Sequence, residues 1–128
     1  MLASMDDLTN PPSSSIDVDC KNVAQAIGLV GRLDGKRHTM LNFDNGTGWC
    51  LTVAGGADFY VVVKSDSNQN SVTLVNEAPA TTARMDLCCG GQLADFEPEV
   101  CCPKSLVVAA LSEYFGDCLP VAPKWRPE

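Results

Sequence analysis

A chain of 128 residues with 45% apolar and 20% charged side chains can bury the core of one domain, which excludes global disorder. Nine Lys and Arg against 16 Asp and Glu leave a net charge of −7, and the cations are scattered. That is the wrong sign for neutralising phosphates and argues against direct nucleic-acid binding, whereas it suits either a basic partner or plain solubility.

Residues 1–10 lack a basic stretch followed by an apolar run, so no secretory signal is read there. The longest apolar runs, such as 106–111, are too short to span a bilayer. A cytoplasmic location and no membrane partner are expected. The cysteines are Cys20, Cys50, Cys88, Cys89, Cys101, Cys102 and Cys118. An odd number without a signal reads as free thiols, packed as small hydrophobes, rather than as a disulfide framework.

Residues 1–18 read as a flexible or irregular lead-in, since Asn10-Pro11-Pro12-Ser13-Ser14-Ser15 gathers turn formers and breakers; weak pairing at a sheet edge is the alternative. A single domain over 19–128 follows. Residues 19–33 predict a helix, with Asp17 or Asp19 as N-cap and Val23, Ala26, Ile27 and Val30 on one face. Asp34-Gly35 turns the chain. Strands are predicted over 39–44, 49–54, 59–64 and 71–76, joined by Asn45-Gly46, by Gly55-Gly56-Ala57-Asp58 and by the polar loop 66–70. The consecutive Tyr60, Val61, Val62 and Val63 mark a central strand covered on both faces. Residues 85–89 allow a fifth strand, and 92–99 read as a loop or short edge segment because Pro98 opposes a central strand. Pro103 opens a last helix whose face is Val107, Ala110, Leu111 and Tyr114, widened by Val108 and Phe115 and stopped by Gly116. The sum is α+β: a helix, an antiparallel meander of four or five strands, and an amphipathic C-terminal helix packed on the sheet.

Little in this sequence points to catalysis. The single histidine, His38, lies in Lys36-Arg37-His38-Thr39 and reads as a surface residue. No nucleophile elbow, phosphate loop or zinc-protease helix motif occurs. Gly55-Gly56 is followed by no helix start, so it reads as a turn and not as a phosphate cradle. Cys88-Cys89 and Cys101-Cys102 make the best case for a metal. Adjacent residues of a strand point to opposite faces, however, so at most one of each pair could reach a shared ion, and buried thiols are the simpler reading. Asp95, Glu97 and Glu99 alternate around Phe96 and Pro98 without the glycine of a calcium loop. This stretch reads as a solvated loop or, with Asp58, as a surface recognising a basic cleft.

Cys102-Pro103, Tyr114-Phe115-Gly116-Asp117, Leu119-Pro120 and Trp125 resemble the closing helix and tail of an immunity-protein family (family one) of bacterial polymorphic toxin systems. Leu33-Asp34-Gly35, the strand at 39–44, Leu51-Thr52-Val53-Ala54-Gly55-Gly56 and the strand from Phe59 resemble its central meander, so the resemblance spans about 19–125. It implies a cytoplasmic bacterial protein without catalytic activity, cofactor or metal. Such a protein binds a cognate toxin domain, often a nucleic-acid deaminase, one to one and fills its basic active-site cleft. Trp49, Phe115 and Trp125 then read as structural, and Asp58, Asp95, Phe96, Glu97 and Glu99 as toxin-binding. The alternative is a metal-binding or redox-responsive regulator built on the cysteine pairs. A small enzyme with a cysteine nucleophile ranks last, since no base is placed for it.

Overall fold

Alternation of period two sets in at the N-terminus: Ala3 and Met5 are buried while Leu2 is exposed. That is the pattern of a half-buried strand. In the computed structural model, which describes residues 1–9 and 14–127, β1 (Leu2–Asp7) and β2 (Ser14–Asp19) form an antiparallel hairpin, and β1 continues the sheet onto β3 (Met40–Asp44). The irregular lead-in expected over 1–18 is thereby corrected. Ala3, Met5, Ile16 and Val18 share one apolar face, and hiding it outweighs the local breakers. Asn10 to Ser13, part of that breaker stretch, lie outside the described residues.

The first helix, α1 (Val23–Val30), is shorter than the expected 19–33. Its N-cap is Asn22, whose side-chain oxygen accepts the Gln25 N–H at 2.9 Å. Asp17 and Asp19, the expected caps, are held in β2 by pairing with β1.

The expected meander is present as β3, β4 (Trp49–Gly56), β5 (Phe59–Asp66) and β6 (Ser71–Leu74). It is the middle of a seven-stranded antiparallel sheet in the order β2-β1-β3-β4-β5-β6-β9, where β9 is Trp125–Pro127. β7 (Met85–Cys89) and β8 (Gln92–Phe96) form a separate two-stranded hairpin, followed by a 3-10 turn at Pro98–Val100 and α2 (Lys104–Tyr114). The fold is α+β with more strands than the four or five expected. β8 escaped the pattern because four of its five side chains are exposed, so no apolar alternation marks it. β9 is too short to show a period.

Strand register divides the sheet into two faces. Met5, Leu41, Phe43, Leu51, Val53 and Val62 point to the face covered by α1 and α2, where they meet Val30, Val107 and Leu111. Each large apolar side chain buried there contributes about 1.5–3 kcal/mol. β5 is buried at Tyr60, Val61 and Val62, as expected of a strand covered on both sides, and half-buried beyond them. Gly55 and Gly56 end β4 with φ of 103° and 132°. A Cβ on Gly56 would stand 2.6 Å from the carbonyl carbon of Leu33, so β4 and the 33–35 turn touch backbone to backbone. The glycine pair, read from sequence as part of the turn, is instead paired within β4 and forms a packing junction, and the turn itself is Ala57-Asp58. Among the described residues no helix is long and apolar enough to cross a membrane.

Candidate functional site

The face of the sheet away from the helices carries the candidate sites, and only part of it is covered. The β7–β8 hairpin lies over the β4 side of it: the Gly91 N–H donates to Thr39 Oγ1 at 2.9 Å. Thr39 is fixed in turn by Asp6. One Asp6 oxygen accepts the N–H groups of Thr39 and Met40 at 2.6 and 2.9 Å, and the other accepts the Thr39 hydroxyl at 2.5 Å. A carboxylate that accepts three donors in this way is fully engaged in holding structure.

Between this hairpin and the β6–β9 edge lies a cleft of about 460 Å³ with Val61, Phe96 and Val100 among its lining. Four of the five residues expected to bind a toxin come from this region or its margins, but two of their three charges are paired. Arg84 Nε bonds Asp95 Oδ2 at 2.9 Å, and Arg84 also reaches the Asp95 carbonyl at 3.2 Å. Arg126 on β9 pairs with Glu97. Two of the three carboxylates of the acidic run are thus matched by arginines that lie 11 and 29 residues away in sequence. Phe96 is half-buried in the cleft wall. Glu99 is exposed on the 3-10 turn, where its carbonyl accepts the Asn76 N–H at 2.7 Å. Asp58 sits apart, exposed in the β4–β5 turn beside Asp86 and Leu87.

Of the three residues read as structural, Phe115 and Trp125 pack against the core, and Trp49 is half-buried at the start of β4. Phe115 meets Phe43 edge to face at 6.4 Å between ring centres. Trp125 lies under Lys64, whose Nζ is 4.3 Å from the ring centre, and its Nε1 donates to Glu113 at 3.0 Å. The Trp49 carbonyl accepts the Tyr114 hydroxyl at 2.6 Å, which ties the start of β4 to the end of α2.

The thiols are arranged for packing more than for reaction. All seven are free, and Cys20, Cys101 and Cys102 are buried. Burial, with the Cys101 thiol next to it, pushes Cys102 up to about 12. Burial, with Cys88 and Cys101 nearby, pushes Cys89 up to about 11. A thiol held protonated is a poor nucleophile and a poor metal ligand. Among the described residues no three His, Cys, Asp or Glu side chains converge as a metal site would require. His38 is buried rather than on the surface as expected. Its Nδ1 stands 2.7 Å from the Asp6 carbonyl, so that nitrogen carries the hydrogen and donates it.

A second surface was not marked out by the sequence. Beyond the hairpin, no other strand or helix among the described residues covers the open face across β2, β1, β3 and β4. Register aligns Asp19, Leu2, Asp44 and Cys50 in one row across these strands, and Asp17, Ser4, Asn42 and Thr52 in the next. Leu2 is 55% exposed at the centre of the first row. Two adjoining hollows of about 240 and 400 Å³ share Asp44 and Cys50, and the second reaches Asp66. Asp66 pairs with Trp49 and so falls on the helix side by register, and its carboxyl is held below the ordinary range, first by the Asn70 side chain. Among the described residues no lysine or arginine side chain bridges to Asp17, Asp19, Asp44 or Asp66; Asp19 lies 3.4 Å from the Met1 amino group, and Asp17 accepts the Ser4 hydroxyl. The signal for this face was the period-two spacing of Asp17 and Asp19, which only strand pairing turns into a surface. Compared with protein-family models and with curated protein sequences, the chain matches none, so the case for what it binds rests on this geometry.

Proposed function

We propose that the chain is a non-enzymatic inhibitor of a basic partner: an immunity protein that acts in the bacterial cytoplasm and binds one copy of a cognate toxin domain, covering its active-site cleft. The observation that carries this reading is the open half-face of the sheet, where Asp17, Asp19 and Asp44 lie around the exposed Leu2 and, among the described residues, pair with no lysine or arginine side chain. A toxin that acts on nucleic acid needs a basic cleft, and a rigid acidic sheet face with an aliphatic centre complements it in charge and shape. The engaged His38 and the raised thiols of Cys89 and Cys102 also leave less for a cysteine enzyme, or for the metal or redox alternative, to work with.

Co-expression with the toxin domain encoded directly upstream tests the reading, with cell survival and recovery of a complex as readouts. Rescue with a one-to-one complex is the expected result. A folded protein that neither rescues nor binds sinks it, and a stoichiometric bound metal after purification under reducing conditions would turn attention to the cysteine pairs.

A further inference from the structure

The outer strand of the sheet, β2, has a neighbour on one side only among the described residues. Its pairing shows which backbone groups face outward. The Cys20 N–H donates to the Met1 carbonyl at 2.7 Å, which makes Met1 and Cys20 a hydrogen-bonded pair. Antiparallel pairs alternate, so the next hydrogen-bonded pairs are Ala3 with Val18 and Met5 with Ile16. Val18 and Ile16 therefore direct their N–H and C=O groups to β1, and Ser15, Asp17 and Asp19 direct theirs away from the sheet. No proline, lysine or bulge blunts this stretch, although such devices commonly protect an edge.

The side chains define what can dock there. Asp17 and Asp19 stand on the open face, while Ile16 and Val18 are half-buried on the helix side. A second copy of this chain fits poorly, because antiparallel self-pairing centred on Asp17 sets carboxylate against carboxylate. We propose that β2 is a docking edge for an extended segment of a partner protein in which basic and apolar residues alternate. The incoming strand completes the outward hydrogen bonds of Ser15, Asp17 and Asp19, lays its basic side chains over Asp17 and Asp19, and lays its apolar ones beside Ile16 and Val18. The proposal deepens the immunity reading, since the partner segment would belong to the toxin.

The test titrates the isotope-labelled full chain with a synthetic peptide of alternating lysine and valine, and with a block peptide of the same composition. Expected are slowed amide exchange at Ser15, Asp17 and Asp19 and a preference for the alternating peptide. Ser15→Pro removes one outward N–H without changing charge or the bonds to β1, and weakens binding about tenfold. If that variant misfolds, the pair Asp17→Lys and Asp19→Lys serves instead, with preference switching to alternating glutamate and valine. Equal binding of the block peptide, protection elsewhere, or no protection at millimolar peptide overturns the proposal. Self-association abolished by Ser15→Pro overturns it in favour of a second copy. Toxin rescue that survives Ser15→Pro removes the edge and leaves the immunity reading standing.

Discussion

Asp95 and Glu97 are two residues apart in sequence and face an arginine each; Asp17 and Asp19 have the same spacing on β2, are joined by Asp44 from β3, and face none among the described residues. The run that looks most acidic on paper is the more neutral of the two in space. A local excess of one charge tells little about a surface until the strands that flank it are known. Arg84, just ahead of β7, and Arg126, on β9, both line the cleft, so its balance is a property of the tertiary fold.

The sharpest way to break the comparison is to detach the regions from each other. Asp6→Ala leaves the N–H groups of Thr39 and Met40 and the Thr39 hydroxyl without their acceptor, and frees the contact to Gly91. It should cost about 3 kcal/mol in denaturant unfolding, with amides of the β7–β8 hairpin losing protection first. A smaller loss, close to that of an ordinary surface change, would mean that the hairpin is held by packing alone.

A third carboxylate marks the extreme of pairing. Asp7 is buried, bonds Arg37 through both oxygens at 3.2 and 3.1 Å, and accepts the Thr9 hydroxyl at 2.9 Å. Arg37 and then Thr9 hold its carboxyl far below the ordinary carboxylate range. The folded state therefore binds this proton less readily than the unfolded chain. The stability it contributes is complete above the ordinary Asp range and is lost as pH falls towards the lowered folded value. Asp7→Asn should lower stability at neutral pH and flatten the acid limb of a stability–pH curve. An unchanged acid limb would show that Asp7 is paired no more strongly than Asp95.

Charge removal then separates the two surfaces by function. Asp17→Asn, Asp19→Asn and Asp44→Asn together should slow association with a basic partner about tenfold at low salt, an effect that fades as salt screens it. Asp95→Asn with Glu97→Gln should change the rate much less, because each carboxylate already has its arginine. Stopped-flow mixing distinguishes them, and the reverse ranking would return the site to the cleft. The smallest expected effect is the coupling of Arg84 and Asp95. Both are more than half exposed, so a double-mutant cycle should give a coupling smaller than any of the effects above.

The meander and α2 were legible because the signals there are local. Alternating apolar residues in 39–64 are punctuated by Asn45-Gly46 and Gly55-Gly56, and the spacing Val107, Ala110, Leu111 runs between Pro103 and Gly116. The β1–β2 hairpin was not, since its alternation is short and interrupted by the Pro-Pro-Ser stretch that dominates a local reading. Its pairing with β3 is a long-range event. The site was legible only as chemistry. Acidity and the shortage of reactive groups could be read from composition, but which carboxylates remain uncompensated depends on where Arg84 and Arg126 arrive.

The Gly55-Gly56 junction bears on how such a protein can diversify. A side chain at Gly56 would overlap the backbone of Leu33 and Gly35, and one at Gly55 would stand 2.9 Å from the Phe59 carbonyl oxygen. Asp17, Asp19 and Asp44 can therefore be exchanged one at a time without disturbing the fold, whereas these two glycines tolerate almost no replacement. Distant kin of this chain should be sought by the glycine pair and its spacing from Asp34-Gly35, and told apart by the face that the pair leaves free to drift.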